Sequence, residues 1–449
     1  MAGLRIPDTP IAVDYWNIKQ LPANCLFFLT HAHSDHLNGL SSSWSCPIYC
    51  TPTTAKLVEL RRHVRSSLLV ELEYDQSTIV YADGHGGRVP ITVTAIDAHH
   101  CPGSAMFLFE GYFGTVLHTG DFRLHPLLLH HDLLSGRKAI DVVYIDNTYC
   151  HPSCVFPSRE AAGDKVVKLV QSAMTDHEVF IGVPLFGKED LLVMVAQKCR
   201  VWLSVSPNRM EILQVLQSPN VFTIDRDTTR VHVVLVNEIT PQRVDKWIDQ
   251  YGKVFVVMPT SRHCGVGSLP FNSHPNITII PYSDHCSFSE LKSFVTSVHP
   301  RSVRPNVSRC HGNMDYFSEL LDHTPSEEYT IPLPIKTMLT CSESATSVPG
   351  RLRKRHSSLP TQRKRKSQGV EFDDQPHPSD AAVDSGNQLH PSSLYSHSDE
   401  LYFQISRNHL SKIDGLGSAS HDAWIMALNY FTNQPHPQIN TNDWLQLLY

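Results

Sequence analysis

The sequence predicts an α/β protein, with sheet cores covered by helices and a long polar tail behind them. Two observations carry that prediction. Across roughly the first 335 residues, short apolar runs of strand length alternate with amphipathic stretches of helical period. After about Thr340 the composition turns abruptly to Ser, Pro, His, Asp and Gln.

The strand runs are Cys25–Leu29, Ile91–Ile96, Ala105–Phe109, Thr115–His118, Val142–Ile145, Val179–Val183, Val231–Val236, Val254–Met258 and Ile277–Pro281. Glu110-Gly111-Tyr112-Phe113-Gly114, between two of them, reads as a hairpin turn. Helices are expected over Arg159–Ala173, Lys188–Lys198, Pro241–Tyr251 and Ser287–Val298; in the first, Val166, Val167, Leu169 and Val170 recur at helical spacing. Beyond residue 339 the chain carries too little apolar surface to offset its conformational entropy and is expected to be disordered to residue 398. Aromatic residues return in 399–449 (Tyr402, Phe403, Trp424, Tyr430, Phe431, Trp444), as in a partner-binding segment.

The composition narrows the function classes. Hydrophobic residues are 41% and charged residues 18% of the 449, ordinary for a soluble globular protein. No run of 18 apolar residues exists, so no membrane span is expected. Residues 1–16 carry prolines and aspartates where a secretory signal needs an unbroken apolar run. With that start, eleven scattered cysteines read as reduced thiols of a cytosolic or nuclear protein. Cys46/Cys50 and Cys150/Cys154 are CxxxC pairs without a second pair at zinc-finger spacing, so a structural zinc is not expected there. The net charge of −6 counts mildly against a nucleic-acid partner, yet phosphate binding depends on a local patch and on bound cations.

Twenty-seven histidines raise the expectation of a metal site. The densest cluster is Thr30-His31-Ala32-His33-Ser34-Asp35-His36, directly after the run Cys25–Leu29. With side chains alternating, His31 and His33 can face one ion; after the chain turns, Asp35 and His36 can face a second.

HxHxDH after a strand resembles the signature of the metallo-β-lactamase superfamily, whose αββα sandwich carries its ligands on loops at one sheet edge. Further motifs follow in the family's order. Asp14 matches an aspartate that supports the ligand loop, His100 in His100-Cys101-Pro102-Gly103-Ser104 a third ligand histidine, and Asp121 in Thr119-Gly120-Asp121 the aspartate that bridges two metals. His99 is left as a structural neighbour. Asp146 and His285 match motifs of the β-CASP subgroup, which acts on nucleic acids, and the residues between them look like the inserted β-CASP domain that forms a lid. The resemblance therefore implies a metallo-β-lactamase domain over 1–155 and 276–338, a β-CASP insert over 156–275, a disordered linker over 339–398 and a tail over 399–449.

It implies ligands too: His31, His33, His100 and Asp121 for one ion; Asp35, His36, Asp121 and His285 for the other. Zinc is the expected metal, and the second site could take Mg, Mn or Fe. Asp35, Asp121 and Asp146 are the catalytic candidates, in a hydrolysis of phosphodiesters by water activated between two ions. Thr260, Ser261, Ser283 and Ser287 are hydroxyls on segments expected to converge near the metals, where they could bind a terminal phosphate. Lys188 sits at the N-terminus of an expected helix, either a phosphate-binding position or an exposed first-turn lysine. Pro184-Leu185-Phe186 stands where the family usually carries a Tyr-Ser pair before Gly-Lys-Glu.

The run His-Cys-Pro-Gly-Ser and the Val303/Pro305/Val307 stretch resemble the DNA-processing branch; His311 follows shortly after. That branch implies a 5′-to-3′ DNA exonuclease of crosslink repair and telomere ends, in the nucleus and on chromosomes, acting on DNA with a free 5′ phosphate. It also implies a telomeric shelterin subunit as a partner of the tail, although the Tyr/Phe-x-Leu-x-Pro docking motif is not found. The alternatives are an RNA endonuclease of pre-mRNA end processing, an inactive DNA-binding scaffold and a small-molecule hydrolase.

Within the polar tail, Arg351-Leu352-Arg353-Lys354-Arg355 and Arg363-Lys364-Arg365-Lys366 read as a nuclear localisation signal. Alanine at Arg363, Lys364, Arg365 and Lys366 should move the protein from nucleus to cytoplasm without changing specific activity on short oligonucleotides. Unchanged imaging would remove the import role, and a large loss of activity would mean that the run binds substrate.

Overall fold

The computed structural model describes residues 3–22, 24–84, 87–135, 139–262, 274–307, 313–325 and 328–344. The basic clusters, His311 and the tail over 399–449 lie outside the described residues. So does all but the start of the linker expected over 339–398.

Two sheets form the first layer pair. One comprises β1 (Leu4–Arg5), β2 (Ile11–Val13), β3 (Leu26–Phe28), β4 (Ile48–Cys50) and β5 (Leu69–Glu71), parallel from β2 onward. Helix α1 (Pro52–Arg62) follows β4. Thr51 caps it, its Oγ1 accepting from the Thr54 amide, and proline at the first helical position has no donor to lose. The second sheet begins with β6 (Ser77–Gly84), β7 (Gly87–Asp97), β8 (Ala105–Gly111) and β9 (Gly114–His118), an antiparallel meander. The expected hairpin turn joins β8 to β9, with Gly111 paired to Gly114. After a short helix α2 (Pro126–Leu129), β10 (Val142–Ile145) pairs parallel to β9.

The period of two in these strands assembles the layers. Leu26 and Phe28 point inward to meet Val93, Ala95, Phe107 and Phe109 of the facing sheet, while Phe27, between them, points outward beneath α1 residues Leu57 and Val58. On the far side, Leu108, Leu117 and Val143 face outward and receive Leu291, Phe294 and Val295. The result is the expected αββα sandwich.

From β10 the chain passes into an inserted three-layer unit. Its elements are α3 (Arg159–Ala173), β11 (Glu178–Val183), α4 (Glu189–Cys199), β12 (Leu203–Ser204), α5 (Pro207–Val215), β13 (Phe222–Thr223), β14 (Val231–Leu235), α6 (Pro241–Tyr251), β15 (Val254–Pro259) and β16 (Ile277–Ile280). Its six strands are all parallel, in the order β13-β12-β14-β11-β15-β16. Val179, Ile181 and Val183 pack on α3 and α4, and the alternate residue Phe180 stacks on Trp247 of α6 at 4.0 Å. Because β16 pairs with β15, the insert's sheet reaches Ile280, past the boundary expected at residue 275. The apolar run Ile277–Ile280 closes that sheet and does not open the return to the sandwich.

The return runs through α7 (Phe288–Val298) to β17 (Ser302–Pro305), which pairs parallel with β10. Helix α8 (Leu333–Ser344) then lies against β6 and β7 and carries helical backbone past residue 338, where the linker was expected to begin. Its buried Ile335 joins the sandwich core, an anchor that average composition conceals. Among the described residues no helix is long and apolar enough to cross a membrane.

Phe28 is fully buried against Tyr49, Phe107 and Phe109, with ring centroids 5.0, 5.4 and 4.8 Å away. Phe28→Ala should cost the sandwich about 3–5 kcal/mol in chemical denaturation. A loss below about 1 kcal/mol would show that this cluster is not the centre of the core.

Candidate metal centre

Several strands of the sandwich end on one side, and their C-terminal loops carry the chemistry, as is general for parallel sheets. The loop after β3 carries His31, His33, Asp35 and His36; the loop after β7 carries His100; the loops after β9 and β10 carry Asp121 and Asp146. The loop after β16 brings His285 from the far end of the insert. Three sets of ligand atoms converge, each within 4.8 Å of one another: His31, His33 and His100 with Cys101; His31, His36 and Asp121; His100, Asp121 and His285.

Asp121 belongs to two of the three sets. Its Oδ2 lies 3.2 Å from His36 Nε2, 3.7 Å from His31 Nε2 and 3.8 Å from His100 Nε2. Asp35 stands at the rim, its side chain 68% exposed and its Oδ2 3.6 Å from His36 Nε2. It joins none of the three sets.

Hydrogen bonds fix which nitrogen each imidazole offers. Asp14 is buried; its Oδ1 accepts the Thr30 amide at 2.8 Å, and its Oδ2 accepts Thr30 Oγ1 at 2.7 Å and His36 Nδ1 at 2.7 Å. Thr30 Oγ1 gives its proton to Asp14, so it accepts from His31 Nδ1 at 3.0 Å. His100 Nδ1 donates to the Asp284 carbonyl at 2.9 Å, and His285 Nδ1 donates to Asp146 Oδ2 at 2.9 Å. Four rings are thereby turned to present Nε2 inward. His33 Nδ1 faces His100 Nε2 at 3.0 Å. Two ligand atoms on one tetrahedral ion with bonds of 2.0–2.1 Å would stand roughly 3.3 Å apart.

The His33 ring is set from the insert. Phe186 packs against it at 5.3 Å, and a Cβ on Gly187 would come within 2.8 Å of His33 Nε2, so glycine with a φ of +94° fits there. Gly187 is held by Glu189, whose Oε1 accepts its amide at 3.0 Å. Burial pushes the Glu189 carboxyl up to about 7 in spite of nearby Arg209. On the other side, Arg61 of α1 donates to the Ala32 carbonyl and to Ser34 Oγ, bracing the loop between the ligand histidines.

The donor set fits a divalent ion. His31 Nε2 is buried with no hydrogen-bond partner, a costly arrangement unless its lone pair meets a cation. Burial, reinforced by neighbouring imidazoles, holds His31, His33 and His100 below the usual range, leaving them neutral as ligands must be. Burial acts to lower His36 and His285 as well, but carboxylates outweigh it. Asp121, Asp35 and Asp14 raise His36; Asp146 and Asp121 raise His285 to about 9.

Several expected residues do other work. Ser283 is buried, its Oγ donating to the His285 carbonyl at 2.9 Å and accepting the His285 amide, so it shapes the turn that carries His285. Ser287 caps α7 in a capping box with Glu290. Both hydroxyls are engaged within their own turn and helix cap. Ser261 donates to Tyr149 Oη at 2.9 Å, and the Tyr149 ring lies 5.9 Å from His285, beside the half-buried Thr260. Lys188 is neither exposed nor free for phosphate: its ammonium pairs with Asp284 and sits 4.7 Å over the Tyr282 ring. His99 stacks on His125 at 4.3 Å, outside the cluster. Among the described residues no metal-type grouping includes Cys46, Cys50, Cys150 or Cys154. A groove of about 710 Å³ is lined by Thr53, Lys56, Gly103, Glu189 and Gln197; no imidazole lines it, so the ligand cluster and not this groove defines the site.

Comparison with known proteins agrees with this geometry. The family described as beta-lactamase superfamily domain matches residues 14–171, and that described as DNA repair metallo-beta-lactamase matches residues 217–311. The chain is similar to the 5′ exonuclease Apollo of Gallus gallus, 44% identical over 340 residues, covering 75% of this chain and 70% of that one. It is 43% identical to Apollo of Mus musculus over 307 residues and 40% identical to Apollo of Danio rerio over 376 residues. The match spans 55% of the mouse protein and 62% of the zebrafish protein, with 68% and 83% of this chain.

An ion taken up at Nε2 of His36 or His285 must displace a proton at neutral pH, because both imidazoles are held charged there. Ion affinity should therefore rise with pH through the neutral range, with protons released on uptake at about pH 7. Calorimetry in two buffers of different ionisation enthalpy measures this. Affinity independent of pH from about 6 to 9 would contradict the assignment of these two nitrogens.

Proposed function

Because the chain belongs to the DNA repair metallo-β-lactamase family, with a β-CASP insert and Apollo exonucleases as relatives, we propose that it is a metal-dependent 5′-to-3′ DNA exonuclease. One observation carries the reading: a single carboxylate, Asp121, stands 3.2–3.8 Å from three inward-facing imidazole nitrogens, the arrangement of a bridging ligand. His31, His33, His100 and Asp121 would hold one ion, and His36, His285 and Asp121 the other, with Asp35 within reach of the second. Nitrogen-rich donors of this kind suit zinc. When bound, two divalent ions supply an activated water, neutralise the phosphoryl oxygens and stabilise the leaving oxygen.

The chain's own residues do the rest. Asp35, exposed at the rim, accepts the proton that the attacking water gives up and returns it to bulk solvent. Asp146 holds His285 with Oδ2 while its Oδ1 is fixed by the Thr148 amide and hydroxyl at 3.0 and 2.7 Å, so it orients a ligand and does not touch substrate. Tyr149, whose ring lies near His285, Ser261 bonded to it and the adjacent Thr260 would offer hydroxyls for a terminal phosphate, with Ser283 and Ser287 shaping the neighbouring turn. Crosslink repair, telomere-end processing, nuclear and chromosomal location, and a shelterin partner belong to the same reading. Nuclear location rests on the basic clusters of the tail, and the others rest on the resemblance of the motifs to the DNA-processing branch.

A 5′-phosphate gains charge-assisted hydrogen bonds that a 5′-hydroxyl lacks, each about 1.5–3 kcal/mol. Single-stranded DNA with a 5′ phosphate should therefore be degraded at least ~10-fold faster than the 5′-hydroxyl form, since about 1.4 kcal/mol is one decade in rate. Digestion of 3′-labelled strands should give a ladder shortening from the 5′ side, silenced by chelator and by Asp121→Ala. A ladder from the 3′ end, or equal rates on the two forms, would overturn the exonuclease assignment; cleavage confined to internal RNA sites would favour an RNA endonuclease.

A further inference from the structure

Arg123 lies two residues after Asp121 and is 3% exposed, yet nothing in the chemistry above uses it. A buried guanidinium presents five donors in a fixed fork, and each must be met. Here Nη1 donates to the Ser283 carbonyl at 2.8 Å and to the His285 carbonyl at 3.4 Å. Nη2 donates to the Pro157 carbonyl at 3.2 Å, and Nε donates to Glu290 Oε1 at 3.0 Å. The guanidinium carbon sits 5.2 Å from the centre of the Phe156 ring. The Arg123 amide is itself tied to the Ala98 carbonyl at 3.1 Å, at the root of the His100 loop.

One side chain therefore joins three pieces of chain that are remote in sequence, the third of them running from the His285 loop into the first turn of α7. The other two are the Asp121 loop of the sandwich and the strap Phe156-Pro157 that leads into the insert. The two carbonyls that Nη1 binds bracket Asp284, and the second belongs to His285 itself, which shares a ligand set with His100 and Asp121. From this geometry we infer that Arg123 is a positioning residue for the half of the metal centre formed by His285, setting how far that imidazole stands from Asp121. The inference rests on the two-ion reading and deepens it. The half of the centre built on His31, His33 and His100 has supports that Arg123 does not touch, Thr30 on His31 and Arg61 on the Ala32 carbonyl, and shares with the His285 loop only the Asp284 carbonyl that orients His100. A fault at Arg123 should thus weaken the ion at His285 far more than the other, whereas a general loss of stability would weaken both alike.

The test is zinc uptake by the full chain, titrated against a chromophoric chelator, for the wild type, Arg123→Lys and Arg123→Met. Glu290→Gln is a milder variant, because Glu290 is 25% exposed and its replacement leaves the guanidinium in place. Removal of such orienting partners typically lowers metal affinity about 10–100-fold. Arg123→Met should bind the weaker zinc equivalent at least about tenfold less tightly, with the tighter equivalent changed by less than about threefold. Lysine, which keeps the charge and loses the fork, should fall between wild type and methionine, and Glu290→Gln should show a smaller shift in the same equivalent. Activity of Arg123→Met on 5′-phosphorylated DNA should recover as zinc is raised. Both affinities unchanged in Arg123→Met and Arg123→Lys would overturn the inference. So would an equal loss of both equivalents, which would make Arg123 a general prop. A wild type that takes up a single zinc would overturn the two-ion reading itself, before any variant is compared.

Discussion

The molecule is organised around one constraint: buried imidazole nitrogens with lone pairs aimed at a common space. Packing His31, His33, His36, His100 and His285 about Asp121 leaves His31 Nε2 buried without a partner, which costs free energy unless a cation meets it. Every ring must also be turned correctly. Each outer nitrogen that the structure ties down meets an oxygen from a different part of the chain: Asp14 through Thr30 for His31, Asp14 directly for His36, the Asp284 carbonyl for His100 and Asp146 for His285. The fold is what brings these oxygens together, and it spends its strand ends on doing so.

This view changes the role of the insert. It does more than cover the ions, because Phe186 and Gly187 set the His33 ring and the loop after β16 delivers His285. The pair Lys188–Asp284 closes the same seam. A buried ion pair of this sort is weak evidence of stability by itself, since desolvation offsets much of the attraction. It does fix where the Asp284 carbonyl stands, and hence which way His100 points.

Much of the site was legible in the sequence, for physical reasons that differ between residues. HxHxDH could be read because its ligands are dense and local, and a strand with a tight turn is enough to converge them. Asp121, Asp146 and His285 are each ordinary alone; they became legible only through the order of the motifs and the resemblance built on it. Arg123 and the Asp284 carbonyl were not legible, because a guanidinium bound to main-chain carbonyls leaves no pattern in side-chain identity. The local role of Ser287 was legible too, since Ser287-Phe288-Ser289-Glu290 is a capping-box sequence, which signals a helix start. The fold shows the same division. Helices Arg159–Ala173 and Pro241–Tyr251 have the expected bounds, since their apolar period is strong. Helices α1 and α5 were not expected, although Thr51-Pro52 and Ser206-Pro207 carry cap and first-turn signals. Strands of two or three residues, such as β1, β12 and β13, are too short to show a period at all.

The central claim is that Asp121 stands between two divalent ions held by these imidazoles. The most direct measurement is anomalous diffraction at the zinc edge from crystals of the zinc-loaded protein. The account predicts two peaks flanking the Asp121 carboxylate, one against His31, His33 and His100, the other against His36 and His285. A single peak not touching Asp121, or peaks confined to surface histidines, would contradict it.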